Sequence, residues 1–303
     1  STKENSIKDL TDFINSYKFN LKQFIILNQI EKGKAKIAAN IYFNEKNQNN
    51  YKYRVTGQIK GAKLNIINKF PIENINFNFN IKNQNFIFEN INLKYDNIEF
   101  ESKKITIEKL KNIFKVKGAL NSKKANVNLN SILKIFNLNF DIINKDIILL
   151  ETNNNFSFSI DAKRQVQDLK YNSNLFFDKI IINKQYQDLI FLRDGKIKTE
   201  YSNNNFDIEV DSKYSFINEL YNTKDDEKNI IININKKNNE NFKIESLIKN
   251  KKTKINSKEL SKYFKIDKKF LKDQAIIFGS DSNINFIIDK NNKVKNLKIK
   301  SNI

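Results

Sequence analysis

Three acidic side chains occupy alternate positions at Asp207, Glu209 and Asp211 and carry the oxygen ligands that Ca²⁺ and Mg²⁺ prefer. In an extended strand, alternate residues project from the same face, so this triplet could gather a cation. The residues between them are apolar, which is the pattern of a strand with one buried face and one wet face. We therefore interpret the triplet as the solvated face of a strand.

A second segment with oxygen-bearing side chains, residues 281–285, begins like the calcium-binding loop of an EF-hand. Its sixth position is Phe286, where that loop needs glycine, and its twelfth is Asn292, where the loop needs a bidentate glutamate. The six glycines of the chain match neither a phosphate-binding loop nor a dinucleotide-binding turn. We expect no metal site and no cofactor.

The residue types that most enzymes use are missing, because the chain contains no Cys, Met, His or Trp. Their absence excludes disulfides, thiolate chemistry, zinc sites built from Cys and His, haem ligation and triads that use His. The carboxylate pair of a glycosidase is defined by a tertiary separation, and no pattern in the sequence points to one. We expect a protein that is not an enzyme.

The charge balance is strongly basic, with 54 Lys and Arg against 34 Asp and Glu, a net charge of +20. Such a charge favours nucleic acid in general, but only Arg54, Arg164 and Arg193 are arginines, and base readout favours arginine over lysine. We expect no nucleic-acid partner. We interpret the lysines as a solvated surface, and the alternative is that they attract anionic surfaces such as phospholipid headgroups.

The elements that position these residues are indicated by an alternation of apolar and polar residues. In residues 75–81, every odd position is Ile or Phe and every even position is Asn, which predicts a strand with one apolar and one polar face. Residues 105–108, 125–130 and 206–211 show the same alternation. About twenty runs of this kind, at spacings of ~8 to 12 residues, predict an antiparallel meander.

Short polar segments rich in Asn separate the runs and predict turns. Asn tolerates the left-handed backbone region and can cap its own turn, so it replaces Gly and Pro, which are scarce in this chain. The predicted turns are residues 83–85, 96–97, 121–124, 153–155, 203–205 and 289–292.

Helical patterns are few. Apolar residues recur at three- and four-residue steps from Ile7 to Tyr17, which predicts an N-terminal amphipathic helix over residues 1–18. Three weaker helical patterns occupy residues 131–136, 214–221 and 257–264. We expect residues 19–303 to form one continuous β-segment, because no linker interrupts the alternation.

These short helices cannot cover the apolar faces of so many strands. The faces must therefore meet a second sheet, their own sheet curled round, or a ligand. We predict a mainly β fold in which an elongated antiparallel sheet curls into an open hydrophobic groove with a few short helices.

No run approaches the ~18 consecutive apolar residues of a membrane-spanning helix. The chain begins at Ser1 and contains no Met. We therefore expect a processed protein or a piece of a longer one, with any signal or anchor outside this chain.

One stretch of the sequence, residues 54–130, has a recurring pattern that is shared with a known family. It includes RVTGQIKG at residues 54–61, AKLNI at residues 62–66, PIENINF at residues 71–77, FIFENINL at residues 86–93 and FKVKGAL at residues 114–120. A similar unit follows at residues 284–289 and 294–300. In this pattern the chain resembles the AsmA-like superfamily of bacterial envelope proteins, particularly its YhdP and TamB branch.

The resemblance implies a repeating β-groove that carries phospholipid between the inner and outer membranes and has no fixed catalytic residues. It also implies a location in the periplasm, anchored in the inner membrane through a segment that is not in this chain. The implied partners are phospholipid acyl chains and the two membranes or their proteins. Because the chain is short for such a bridge, we expect it to be one section of the groove.

One apolar face of the strands is expected to line the groove and contact acyl chains. The candidate lining residues are Ile75, Phe77, Phe79, Ile81, Phe86, Phe88, Ile105, Ile107, Val127, Leu129, Phe206, Ile208, Val210, Ile284, Phe286 and Ile288. The alternative hypothesis is a structural or adhesive β-sandwich module of the cell envelope, which predicts a core filled by protein and no bound lipid.

Overall fold

A computed structural model of the chain describes residues 5–7, 9, 30–43, 51–64, 71–96, 98–128, 147–163, 165–182, 190–216, 228–238, 240–256, 275–291 and 293–302. These residues form a single sheet in which each strand is hydrogen-bonded to its neighbours in chain order. The prediction of a mainly β, antiparallel meander is confirmed.

The sheet has fifteen strands within the described residues. They are β1 (Asn5–Ser6), β2 (Ile30–Phe43), β3 (Tyr51–Leu64), β4 (Ile72–Lys82), β5 (Asn85–Tyr95), β6 (Ile98–Leu110), β7 (Ile113–Asn128), β8 (Ile147–Ile160), β9 (Val166–Ile182), β10 (Ile190–Ser202), β11 (Asn205–Phe216), β12 (Lys228–Lys236), β13 (Phe242–Asn256), β14 (Ala275–Ile288) and β15 (Val294–Asn302).

The chain comprises two compact units. Unit 1 is Ser1–Val127 with Leu150–Ser173, and unit 2 is Asn128–Leu149 with Asn174–Ile303. Unit 1 therefore contains β1 to β6, all of β7 except Asn128, most of β8 and the first part of β9. Unit 2 contains Asn128, the first three residues of β8, the second part of β9 and the strands from β10 to β15.

The segment predicted as a helix over residues 1–18 is described at its start only. Asn5–Ser6 form β1, whereas Ile7 and Asp9 are helical. The remainder of that segment lies outside the described residues, and so do the weaker helix predictions at residues 131–136 and 257–264. Of the third weak prediction, residues 214–216 belong to β11.

Four of the predicted turns are confirmed at residues 83–84, 96, 203–204 and 290–291. Asn203 and Asn204 have φ values of 50° and 61°, as a two-residue type I′ hairpin turn requires. The turns predicted at residues 121–124 and 153–155 are wrong, because these residues lie inside β7 and β8. There, Asn121 Oδ1 accepts a hydrogen bond from the Asn154 backbone amide at 3.2 Å, so polar side chains crosslink the strands.

Two longer turns are built on the same plan around Asp161 and Asp289. In each, one carboxylate oxygen accepts hydrogen bonds from the backbone amides two and four residues further on, and the other oxygen binds the side chain six residues on. The donors are Lys163, Gln165 and Gln167 for Asp161, and Asn291, Lys293 and Lys295 for Asp289. The bonds to Asp289, chiefly those from Lys295 and the Lys293 amide, lower the pKa of this carboxyl group to about 2.

Bulges explain why several of the described strands are longer than the runs predicted from the alternation. The backbone is left-handed at Gly61 (φ 58°) inside β3 and at Asn90 (φ 54°) inside β5, and the register of β3 against β4 shifts between Ile59 and Ala62. Buried positions on either side of a bulge are then three residues apart instead of two. The alternation changes phase while the strand continues, and the strand bends at that point.

Candidate functional site

The candidate residues of unit 1 assemble on one side of β2 to β7, here called the unit 1 face. Residues directly opposite each other in an antiparallel pair project to the same side, so the register places them in rows. One row consists of Ile37, Gly57, Phe79, Phe88, Ile105 and Gly118. The next row consists of Ala39, Val55, Ile81, Phe86, Ile107 and Val116. Six predicted lining residues thus lie side by side.

Two further candidates extend the unit 1 face along β4. The Phe77 ring packs edge-on against the Phe88 ring, with 5.6 Å between centroids, and lies 6.3 Å from the Phe79 ring. Ile75 packs against a cluster in which Ile7 and two alanines of β2 and β3 are at most 3% exposed. The buried cluster therefore continues into the face.

Most side chains of the unit 1 face are only partly buried, and Val116, at 7% exposed, is the buried member of its rows. Phe77, Phe79, Phe86 and Phe88 all have intermediate exposure, and so do the isoleucines among the candidates. Neighbours in the same row cover their flanks, whereas a core between two packed sheets would also cover their outer ends. The face therefore keeps accessible apolar surface above it.

Glycines make room for phenyl rings on neighbouring strands. A Cβ atom built on Gly57 would lie only 2.5 Å from Cζ of Phe79. In unit 2, a Cβ atom on Gly195 would collide with the Phe177 ring. Each ring lies across a glycine, a cross-strand packing that compensates for the missing side chain. The rings are consequently held close to the sheet.

The strands β7, β8 and β9 carry a buried polar network in unit 1. Ser122 Oγ accepts a hydrogen bond from the Thr152 backbone amide at 2.9 Å and lies 3.0 Å from Thr152 Oγ1. Asn154 Oδ1 accepts hydrogen bonds from Ser173 Oγ at 2.7 Å and from Tyr171 OH at 2.9 Å. Sequence reasoning missed this network, because the alternation places Ser122 and Asn154 in predicted turns and not in neighbouring strands.

The candidates of unit 2 also share one side of their strands, here called the unit 2 face. One row consists of Ile208, Ile234, Ile244 and Phe286. A second row consists of Val210, Ile232, Ser246, Ile284 and Ile299. A third row includes Phe206 opposite Lys236, and Phe242 opposite Ile288. All six predicted lining residues of unit 2 lie on this face, and each is partly exposed.

Lysines adjoin phenyl rings in both units. Lys236 Nζ on the unit 2 face lies 4.5 Å from the centroid of the Phe242 ring. In unit 1, Lys109 Nζ lies 5.8 Å from the Phe114 ring, which continues the run of apolar positions on β7. The lysine stems cover apolar surface while the ammonium groups remain hydrated. Apolar surface and positive charge are thus adjacent, an arrangement that suits an amphiphile with a negative head.

The acidic triplet of β11 lies on the side opposite the unit 2 face. Glu209 and Asp211 stand opposite Lys198 and Lys196 of β10. Lys198 Nζ also lies 2.6 Å from Glu200 Oε1, and this bond, with smaller help from Glu209, raises the pKa of Lys198. All three carboxylates of the triplet are exposed. Within the described residues, no three acidic side chains are grouped so that they could hold a metal ion.

Two candidates are placed differently from the rest. Val127 on β7 is only 2% exposed. Its burial makes it a packing residue instead of an accessible one. Leu129 lies outside the described residues.

Comparison of the chain with protein-family models, with curated proteins and with solved structures finds no match. The resemblance to the AsmA-like superfamily therefore stays a prediction from the sequence. In the part of the chain that the structure describes, no helix is long and apolar enough to cross a membrane.

Proposed function

We propose that the chain binds phospholipid acyl chains on the unit 1 and unit 2 faces, as a non-catalytic section of a lipid conduit between the inner and outer membranes. In this proposal, which follows the AsmA-like resemblance, the protein works in the periplasm and is held at the inner membrane by a segment outside this chain. The observation that supports it most is the partial exposure of apolar rows that run across several strands.

The dimensions of the unit 1 face suit an acyl chain. Its rows cross the six strands β2 to β7 at ~4.8 Å per strand, or about 24 Å in all. One acyl chain spans about half of a ~30 Å hydrocarbon core, or roughly 15 Å. The face is therefore long enough to accept a whole chain across the strands.

The energetics favour such a face over free diffusion. Each methylene transferred to water costs about 0.8 kcal/mol, so two chains of about 15 methylenes lose roughly 24 kcal/mol in water. Successive strands of the unit 1 face offer Ile or Phe at equivalent positions. A lipid that moves from one strand to the next therefore keeps most of its burial.

A pair of charges placed on the unit 1 face tests the proposal. Phe77→Asp with Phe79→Asp should reduce the phospholipid that co-purifies with the chain by at least about tenfold, because burying a carboxylate against an acyl chain costs several times the 1.4 kcal/mol of a tenfold change. The lipid is extracted and quantified per mole of protein by mass spectrometry.

The matched control is Asn78→Asp with Asn80→Asp, which adds the same charge to the opposite side of the same strand. It should leave the lipid content unchanged. Equal lipid in all three proteins, or none in the unmodified chain after expression in a bacterium with two membranes, would refute the proposal. Circular dichroism confirms that each variant retains its β structure.

The sandwich alternative makes a different prediction for the same experiment, namely no lipid in any of the proteins. It requires two packed sheets, whereas the fifteen described strands belong to one sheet. The single sheet and the partly exposed rows favour the lipid-binding proposal over this alternative.

A further inference from the structure

The tips of two hairpins in unit 1 carry exposed aliphatic side chains. At the β6–β7 hairpin, Leu110 and Ile113 stand opposite each other on either side of a two-residue turn and are 38% and 39% exposed. At the β8–β9 hairpin, Val166 and Leu169 are 57% and 36% exposed. Antiparallel strands reverse at every connection, and β7 pairs with β8, so the two tips lie at the same end of the strands, about 10 Å apart.

These residues distinguish the two tips from other turns of the sheet. The β4–β5 tip has the sequence KNQN at residues 82–85, and the β10–β11 tip has SNNN at residues 202–205. Polar residues of this kind suit a turn, because they bind water and their own backbone. Aliphatic side chains at a turn leave apolar surface in water, and a partner that covers them removes this unfavourable term.

Lysines surround the aliphatic residues. The described residues of the two tips include five lysines and three carboxylates, namely Lys109, Lys111, Lys115, Lys163 and Lys170 with Glu108, Asp161 and Asp168. Two of the carboxylates are engaged, since Glu108 stands opposite Lys115 and Asp161 accepts the hydrogen bonds of its own turn. Aliphatic side chains beside an excess of lysine match a bilayer surface, where anionic headgroups lie above hydrocarbon.

The unit 1 face reaches the β6–β7 tip. Lys109 stands opposite Phe114, and the next pair on the same side is Ile107 with Val116, which belongs to a row of the face. Phe114 is partly exposed. A lipid that enters at this tip therefore meets the unit 1 face without crossing the polar side of the sheet.

We propose that the β6–β7 and β8–β9 tips dock on the surface of a bilayer that contains anionic phospholipid. Leu110, Ile113 and Val166 enter the boundary between headgroups and hydrocarbon, and the lysines contact the phosphate groups. A protein partner fits less well, because four aliphatic side chains offer far less than the about 800 Å² that each partner buries in a standard protein interface. The docking rests on the proposed function in one respect, namely that it gives the unit 1 face a place to exchange lipid with the bilayer.

A tryptophan reporter tests the insertion of the β6–β7 tip. The chain contains no Trp, so Ile113→Trp in the full chain gives a single emission signal. With vesicles of equal parts phosphatidylglycerol and phosphatidylcholine, the emission should shift to shorter wavelength and be quenched by brominated phosphatidylcholine. The control Lys124→Trp places the reporter at an exposed position near the other end of β7 and should show neither change. Vesicles of phosphatidylcholine alone should bind at least about tenfold more weakly, since each lysine at an anionic surface contributes on the order of fivefold.

Two variants measure the contribution of each kind of side chain by co-sedimentation with the anionic vesicles. Leu110→Ser with Ile113→Ser should weaken binding at least about tenfold, because apolar surface is lost. Lys111→Glu with Lys163→Glu should weaken it at least about 25-fold, because two attractions are lost. The matched control Lys103→Glu with Lys124→Glu makes the same change of net charge at exposed positions of β6 and β7. It should weaken binding less than about threefold, because these positions lie further from the tips than the ~8 Å over which salt screens charges.

An equal loss in the tip and control variants would overturn the proposal, because it would reduce the binding to a general attraction by the net charge of +20. Unshifted emission of Ile113→Trp would overturn it as well, and so would a tip variant that changes the molar mass in solution, which would assign the tips to contact with a second copy. Phe77→Asp with Phe79→Asp separates this proposal from the proposed function. Loss of co-purifying lipid with vesicle binding retained supports both, retained lipid with tip-dependent docking refutes the proposed function alone, and lost lipid without tip-dependent docking refutes the docking alone. Circular dichroism should show the same β structure in every variant, since the replaced side chains at the tips are exposed.

Discussion

Replacement of Gly57 by alanine should destabilise the pairing of β3 with β4, because the Phe79 ring of β4 occupies the space beside Gly57. The new Cβ atom would lie 2.5 Å from Cζ and 2.8 Å from Cε1 of Phe79, and it would also press on the Lys36 carbonyl oxygen. Excess volume in a packed site typically lowers the free energy of unfolding by about 1 to 3 kcal/mol. At about 1.4 kcal/mol per tenfold change, local opening should become about 5- to 150-fold more frequent.

Hydrogen exchange followed by mass spectrometry measures this opening directly in peptides that cover residues 51–82. The second variant, Gly57→Ala with Phe79→Leu, removes the ring and should recover part of the lost protection, so that the two substitutions are not additive. The contrast is Gly61→Ala. A Cβ atom at position 61 meets nothing within 4 Å, but φ is +58°. The substitution should therefore destabilise the fold by about 1 kcal/mol through backbone strain.

Phe79→Leu should therefore rescue Gly57→Ala and leave the defect of Gly61→Ala unchanged. Unaltered exchange in Gly57→Ala would show that the ring does not lie across the glycine. Equal rescue of both glycine variants would show that the coupling is not steric.

Two further substitutions examine the hydrogen bonds. The pKa of Asp289 is lowered from 3.8 to about 2, so the stability that its carboxylate gives to the β14–β15 hairpin is present above about pH 4 and is lost as the pH falls toward 2. Carbon NMR should show the carboxyl group titrating with a midpoint near 2, and a midpoint near 3.8 would contradict the turn. Asp289→Asn should remove this pH dependence. Ser122→Ala leaves the buried Thr152 amide without its acceptor and should lower the free energy of unfolding by about 1 to 3 kcal/mol. The loss should appear as faster hydrogen exchange in residues 147–160. An equal effect of Ser157→Ala, which lies on the same strand as Thr152, would argue against the network.

The unit 1 face could be predicted from the sequence to the extent that it depends on single strands. Alternation fixes which residues of a strand share a side, and the pairing with β3 shows that Phe77, Phe79 and Ile81 do so. The glycine of the same row, Gly57, carries no apolar signal. It became part of the face only through its register against Phe79.

The positions of bulges and turns were less predictable, because the same local conformation serves both. Asn203 in a hairpin turn and Asn90 inside β5 have φ values of 50° and 54°. With 53 asparagines in the chain, an Asn-rich segment does not distinguish a turn from a bulge. The difference is decided by whether the neighbouring strand continues past the residue, which is a tertiary property.

The strict chain-order pairing of the strands bears on how the protein is made. Sheets usually form slowly because partners far apart in the sequence must find each other. Here each new ladder closes only one hairpin, so a strand that leaves the ribosome finds its partner already in place. The nascent chain can grow its sheet one strand at a time, at an edge that advances with synthesis.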